Sequence, residues 1–226
     1  MWTTNELGLA TWTDSQSTWE LDARGGGHGI RIALTGDASD SSGVRFEPVD
    51  QPALPDASEQ FVRGKSWHVN YPQADGGHAL RLAFEPIRST AKTLLLQTTV
   101  SIQTDLLETH PQLDLQIAAD AVDSLDPCQD SAEAASDRNG CPPISIAQRS
   151  KCFIAILLGP HDSPFTRDLS TPSSLRLRLF GEFLEKGVIR KAKPWLLIDR
   201  SGESPDRCQL ADDWQQLCDS PLPLTA

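Results

Sequence analysis

The chain has 226 residues, of which 20 are basic and 31 acidic, and its formal net charge is −11. Such a field repels phosphate backbones, so we expect neither nucleic-acid binding nor docking on an anionic membrane. No apolar run reaches the roughly 18 residues that a membrane span requires, and the N-terminus lacks the pattern of a secretory signal. The spacing of the five cysteines suggests no evident disulfide framework, which favours a reducing compartment. The composition therefore predicts a soluble cytoplasmic protein.

Short strands are predicted through the first half of the chain, because apolar and polar residues alternate there with a period of two. Thr18–Ala23 and Ile30–Leu34 flank Arg24–Gly29, a glycine-rich run that is predicted to be a hairpin loop. The same alternation predicts strands over Gly43–Glu47, Ser66–Tyr71, His78–Glu85, Lys92–Gln103 and Gln112–Ala118.

A polar, acidic stretch at about 119–143 interrupts this pattern and is predicted to be a long loop. Its carboxylates suggest calcium, but the Asp-x-Asp-x-Asp-Gly spacing of a calcium loop is absent, so we expect no metal there. Cys128 and Cys141 bracket the stretch. The sequence leaves open whether these two cysteines form a disulfide that closes it.

The second half of the chain contains one buried strand and one helix. Cys152–Leu158 is apolar on both faces, which is typical of a central strand. Ser204-Pro205 resembles a helix start, with serine as the cap and proline at the first helical position. One face of that helix is predicted to carry Leu210, Trp214, Leu217 and Cys218.

Between that strand and that helix, Ser174–Asp199 is predicted to be a long twisted hairpin at a sheet margin, because two apolar-rich runs flank a turn at 185–187. Its register pairs Glu182 with Arg190 across the strands. Pro194 cannot donate to a ladder, so the second strand is predicted to be an edge strand or to carry a bulge there. The core face of this hairpin is predicted to carry Leu175, Leu177, Leu179, Phe183, Ile189, Trp195 and Leu197.

The order of these elements predicts the fold class. We count roughly ten strands and one helix, with no alternation of strand and helix that would indicate a parallel sheet. The sequence therefore predicts an all-β fold, an antiparallel two-layer β-sandwich with one short C-terminal helix. We expect residues 1–226 to form a single domain, because no linker divides the chain.

The first candidate site is a group of polar residues on one sheet face. His68 and Asn70 lie on the same side of one predicted strand, and Arg81 and Glu85 lie on the same side of a neighbouring strand. Convergent polar groups of this kind bind a sugar or an anion. The alternative interpretation is a solvated sheet face without a ligand.

The second candidate site is the loop after the buried strand, where His161 stands beside Asp162. An acid beside a histidine can orient it as a general base, although adjacent residues seldom point at each other. The glycine run 25–29 matches neither a dinucleotide fingerprint nor a phosphate loop, and it is interpreted as a turn or as a close backbone approach to a ligand beside His28. No metal-binding or cofactor motif is present, so we expect no cofactor.

A basic cluster stands out in this acidic chain, and it comprises Lys186, Arg190, Lys191 and Lys193. We expect this patch to dock an acidic surface, either the loop Asp120–Asp137 or a second copy of the chain. The sequence thus favours an intracellular binding or assembly module without catalysis, whose partner is another protein or itself. The alternative is a carbohydrate-active protein, a sugar binder, epimerase or lyase, with its site on one sheet face.

Overall fold

The structure, a computed structural model, describes residues 1–14, 17–33, 43–49, 51, 53–74, 77–128, 141–149 and 152–221. These residues form seventeen strands. In chain order they are β1 (Trp2–Glu6), β2 (Leu9–Thr13), β3 (Thr18–Gly25), β4 (Gly29–Ala33), β5 (Gly43–Pro48), β6 (Glu59–Arg63), β7 (Ser66–Tyr71), β8 (Ala79–Ser89), β9 (Thr93–Gln103), β10 (Gln112–Ala118), β11 (Ala121–Leu125), β12 (Ile144–Arg149), β13 (Cys152–Leu157), β14 (Thr166–Asp168), β15 (Ser174–Phe180), β16 (Ile189–Ala192) and β17 (Trp195–Asp199). A single α-helix, α1 (Arg207–Asp219), follows within these described ranges.

The strands form two antiparallel sheets. Sheet I has the order β1-β2-β3-β4-β5-β10-β15-β14, and sheet II has the order β11-β12-β13-β17-β9-β8-β7-β6, with β16 also paired to β9. The predicted all-β sandwich with a C-terminal helix is therefore confirmed. The estimate of ten strands was low because short outer strands such as β1 and β14 leave most of their side chains exposed and carry no apolar alternation.

A core of aliphatic and aromatic side chains fills the space between the sheets. Trp67 and Phe84 of sheet II stack with their ring centroids 5.4 Å apart, and Phe46 of sheet I meets Phe84 edge to face at 6.5 Å. Burial of each large side chain of this kind stabilises the fold by about 1.5–3 kcal/mol. The outward residues of the same strands are free for other roles.

A second core lies on the outer face of sheet II, beneath α1. There Trp195 and Leu197 of β17 pack against Leu210, Trp214 and Leu217 of the helix. Strands β13 and β17 are consequently buried on both faces, which confirms the central strand predicted at Cys152–Leu158.

The helix starts two residues later than the sequence suggested. Asp206 is the cap, and its carboxylate accepts hydrogen bonds from the backbone N–H groups of Cys208 and Gln209 at 3.0 and 3.3 Å. The predicted cap, Ser204, lies outside the helix. Aspartate and serine are comparable caps, so local preference alone did not decide between the two positions.

Replacing Asp206 with alanine is expected to lower the free energy of unfolding by about 1 kcal/mol, because two N–H groups of the first helical turn lose their acceptor. Ser204→Ala is the matched control and is expected to change it by less than about 0.5 kcal/mol. Urea denaturation followed by circular dichroism measures both. Equal losses in the two variants would show that Asp206 is not the cap that matters.

The predicted hairpin at Ser174–Asp199 is wrong. Strand β15 pairs with β10 and β14 in sheet I, whereas β16 and β17 pair with β9 in sheet II. The turn at 185–187 does form, with Val188 N–H donating to the Glu185 carbonyl at 3.1 Å, but it does not join paired strands. The margin position is also wrong, because β17 lies between β13 and β9.

The chain leaves sheet I because Phe180 and Gly181 both adopt a positive φ, 66° and 98°. A positive φ is unusual for phenylalanine, and it breaks the extended path there. Leu184 then pairs with Thr109 in a crossing segment and is buried, while Phe183, which was predicted to be core, is 46% exposed. Pro194 interrupts the ladder between β16 and β17 without ending it, and its carbonyl accepts from Thr98 N–H at 3.0 Å.

The acidic stretch at about 119–143 is only partly loop. Ala121–Leu125 forms β11, which pairs with β12 along its length, and residues 129–140 lie outside the described residues. Cys128 and Cys141 form a disulfide, which settles the question that the sequence left open. Among the described residues, no helix has the length and apolar character needed to cross a bilayer.

Candidate binding site on the open face of sheet II

Helix α1 covers only one half of the outer face of sheet II. It packs on the half formed by β13, β17 and the start of β9. On the other half, alternate residues of β6, β7, β8 and the end of β9 point outward without such a cover. We call this half the open face.

The strand registers place the four residues of the first candidate site on the open face. Asn70 lies opposite Arg81, and His68 lies opposite Ala83, in the pairing of β7 with β8. Ser66 donates to Glu85 at 2.7 Å across the same pair. The two-residue period of each strand was enough to predict this common face.

A chain of hydrogen bonds fixes the orientation of two of these side chains. The Nε of Arg81 donates to Oδ1 of Asn70 at 2.7 Å, and Nδ2 of Asn70 donates to Oε2 of Glu59 at 2.5 Å. The remaining guanidinium nitrogens of Arg81 are therefore held in a defined direction beside the amide. Preorganised donors of this kind reduce the entropic cost of binding a ligand.

His68 is a neutral group on this face. Its ring stacks on Phe61 with centroids 4.6 Å apart and planes at 10°. Burial lowers the pKa of His68, and the charges of Arg81 and Arg63 lower it further, against a smaller opposite effect of Glu85. At neutral pH the imidazole thus offers one donor and one acceptor and carries no charge.

A cavity of about 280 Å³ opens at the end of the open face. Its polar lining includes Asn70, Arg81, Ser101, Gln103 and Lys191 from four strands, together with Ser58 and Tyr71. This volume is close to the lower end of the roughly 300–1,000 Å³ that is typical of ligand pockets. We call it the Asn70–Arg81 cavity.

Sequence reasoning did not single out Ser101 or Gln103 for this site. Both are outward residues of β9, and in the strand pairing Ser101 lies between Arg81 and Lys191. The alternation in Lys92–Gln103 already placed them on one face. The sequence pattern did not indicate that β8 and β16 pair with β9 on either side of it.

The structure does not build a catalytic pair from His161 and Asp162. Oδ2 of Asp162 accepts from the backbone N–H of Lys193 at 2.8 Å, which ties the loop after β13 to the break between β16 and β17. Burial raises the pKa of Asp162, although the hydrogen bond from Lys193 opposes this. His161 is exposed. The carboxylate of Asp162 therefore accepts a hydrogen bond from the backbone of Lys193, whereas the side chain of His161 lies at the surface.

The four residues of the predicted basic patch are dispersed. Lys186 is exposed, and Lys191 lines the Asn70–Arg81 cavity. Arg190 forms an ion pair with Glu182 at 3.0 Å, a pair that the sequence had predicted. Lys193 is only 7% exposed, and its Nζ contacts Oγ of Ser220 and the carbonyl of Pro221 just beyond α1. Lys193 cannot contribute to a docking surface, because the end of the helix covers it.

In the described ranges, no group of three or more His, Cys, Asp or Glu side chains is close enough to hold a metal ion. The open face thus consists of hydrogen-bonding groups, cations, the carboxylates of Glu59 and Glu85, and one stacked aromatic pair. Such a face can bind a ligand without a metal.

Comparison with known proteins adds little to these observations. No protein-family model matches the sequence, and no curated protein matches it. The fold defines an antiparallel β-sandwich. Among solved structures, the chain is similar to one titled "Putative kojibiose phosphorylase from human microbiome", with a TM-score of 0.46 and 8% identity, over 95% of this chain and 32% of that chain. A similarity this weak carries no argument about fold or activity, so the function is argued from the site.

Proposed function

We propose that this protein is a non-catalytic binding module that holds a small acidic saccharide in the Asn70–Arg81 cavity. The observation that carries the proposal is the convergence of Asn70, Arg81, Ser101, Gln103 and Lys191 from four strands on one cavity of about 280 Å³. Amide and hydroxyl groups match the hydroxyls of a sugar, and two cations match one carboxylate.

The lack of carboxylates among the described residues that line the cavity favours binding over glycoside cleavage. No aspartate or glutamate is among the described residues that line the cavity. Cleavage of a glycosidic bond ordinarily requires a pair of carboxylates that flank it. The catalytic version of the carbohydrate hypothesis therefore has less support than simple binding.

Arg81→Gln is expected to weaken binding of D-glucuronate at least tenfold, because the variant loses the charge and the fork of donors that a carboxylate accepts. Isothermal titration calorimetry with D-glucuronate and D-glucose measures this. The wild-type protein is expected to prefer glucuronate. Arg63→Gln is the matched control, since Arg63 lies on the edge strand of the same sheet but does not line the cavity.

Two results would contradict the proposal. One is a wild-type protein that binds neither sugar at millimolar concentration. The other is an equal loss of affinity in the Arg81→Gln and Arg63→Gln variants, which would indicate general attraction by positive charge and no defined site.

A separate observation bears on the cellular compartment. The prediction of a cytoplasmic location depended on the N-terminal pattern, on the lack of a long apolar run and on five cysteines without an evident disulfide framework. The disulfide between Cys128 and Cys141 counts against it, because such bonds persist mainly in oxidising compartments. We infer that an oxidising compartment suits this chain better.

A further inference from the structure

Two arginines stand directly opposite each other on the outer face of sheet I. Arg31 of β4 pairs with Arg45 of β5 in the strand register. Like charges in this position destabilise a sheet unless something lies between them. The neighbours in the same row are Asp22 of β3, next to Arg31, and Gln116 of β10, next to Arg45.

Asp22, the carboxylate in the same row, already has another partner. Asp22 is held by Arg24, whose Nε and Nη2 donate to its two oxygens at 3.0 and 2.7 Å. Within the described residues, neither Arg31 nor Arg45 forms a salt bridge. The two guanidinium groups are thus available to a ligand that carries negative charge.

A cavity of about 320 Å³ joins these arginines to the glycine-rich turn. Gly26, Gly27, His28 and Gly29 line it together with Arg31 and Arg45. Gly29 lies two residues before Arg31 and has a φ of +68°, and a Cβ built on it would meet no atom within 4 Å. Room for a ligand therefore remains beside the arginine.

One acidic residue, Glu47, also lines this cavity. Its cross-strand partner is Asp114, which is occupied by Arg176 and Arg178. A second carboxylate, that of Asp56, lies against Gly26 at the turn. The two arginines therefore place adjacent positive charges on one side of the cavity, inside a chain whose net charge is −11.

We propose that Arg31, Arg45 and the glycine turn 26–29 form an oxyanion-binding site on sheet I, separate from the Asn70–Arg81 cavity on sheet II. Guanidinium groups bind phosphate and carboxylate through paired hydrogen bonds, and an anion between the two arginines removes their repulsion. The ligand group is a phosphate ester or a carboxylate, which share this chemistry.

The test is a titration of ¹⁵N-labelled protein with inorganic phosphate and, separately, with acetate, at constant ionic strength in chloride buffer. Amide signals of residues 26–31 and 45 are expected to shift with saturation. The double variant Arg31→Gln/Arg45→Gln is expected to weaken binding at least tenfold. Arg167→Gln, on the exposed strand β14 of the same sheet, should leave the affinity within twofold. Tighter binding of phosphate than of acetate would identify a phosphate ester, and the reverse a carboxylate.

A second measurement separates binding from folding. Without added anion, the Arg45→Gln variant is expected to unfold at a temperature equal to or above that of the wild type, because it relieves the repulsion. The proposal is overturned if neither anion shifts these amides, or if the double variant binds as the wild type does. Acetate shares its carboxylate with glucuronate, but binding in the Asn70–Arg81 cavity would shift amides of that lining and leave residues 26–31 and 45 unmoved, so the two proposals fail independently.

Discussion

Replacing Trp214 with alanine is expected to lower the free energy of unfolding by about 3–5 kcal/mol. Trp214 is 7% exposed and lies in the second core, against Trp195 and Leu197. Its indole Nε1 also donates to the carbonyl of Leu158 at 3.0 Å. The variant loses this hydrogen bond and leaves a cavity where the indole packed.

Urea denaturation, followed by circular dichroism, measures the loss. Gln216→Ala is the matched control, because Gln216 is exposed on the same helix, and it is expected to change stability by less than about 0.5 kcal/mol. A Trp214→Ala loss no greater than the control would show that α1 does not depend on Trp214 for docking. The result also bears on function, since the docked helix defines which half of sheet II remains open.

Replacing Asp114 with alanine is expected to lower the free energy of unfolding by about 2–4 kcal/mol. Oδ1 of Asp114 accepts from Arg178 at 2.8 Å, and Oδ2 accepts from Arg176 at 2.6 Å, while the carboxylate side chain is 2% exposed. Removing one partner of a buried ion pair costs about 3–5 kcal/mol when the remaining charge stays buried. The two arginine side chains are 41% and 21% exposed, so water replaces part of the lost interaction.

The same variant is expected to change how steeply the free energy of unfolding decreases at low pH, which we call the acid limb. Burial alone would raise the pKa of Asp114, but hydrogen bonds and charges from Arg178 and Arg176 outweigh burial, and the net pKa is lowered. The carboxylate therefore stabilises the fold above the unfolded-state pKa of about 3.9, and this contribution is lost as pH falls through the lower folded-state pKa. Asp114→Ala should lose less stability than the wild type on acidification below about pH 4.

The control for this pH dependence is Asp212→Ala, since Asp212 is exposed on α1. It is expected to keep the wild-type acid limb and a near wild-type stability at neutral pH. Thermal denaturation between pH 2 and pH 7 compares the three proteins. Identical acid limbs in the wild type and Asp114→Ala would contradict the role assigned to this ion pair.

The two proposed ligand sites differ in how much of each could be predicted from the sequence. His68, Asn70, Arg81 and Glu85 share a face because a strand alternates its side chains, and neighbouring strands in an antiparallel hairpin keep that alternation in step. The outward orientation of Arg31 and Arg45 also follows from alternation, but no local pattern indicates that these two like charges lie opposite each other. Because the chain as a whole is acidic, its composition did not suggest this pair of arginines. Only the register of β4 with β5 shows it.

The sequence by itself determined most of the longer strand segments, most of their inward faces and the apolar stripe of the C-terminal helix. Leu175, Leu177 and Leu179 point inward as predicted, because a strand with one buried face places alternate residues in the core whatever its partner is. Only the tertiary structure decided which strands pair. The backbone of any strand can form the same ladder hydrogen bonds, so these bonds do not select a partner. Strand β15 pairs with β10 and not with β17 because of side-chain burial between distant parts of the chain, which no local pattern encodes. The burial of Lys193 beneath the end of α1 was decided in the same way.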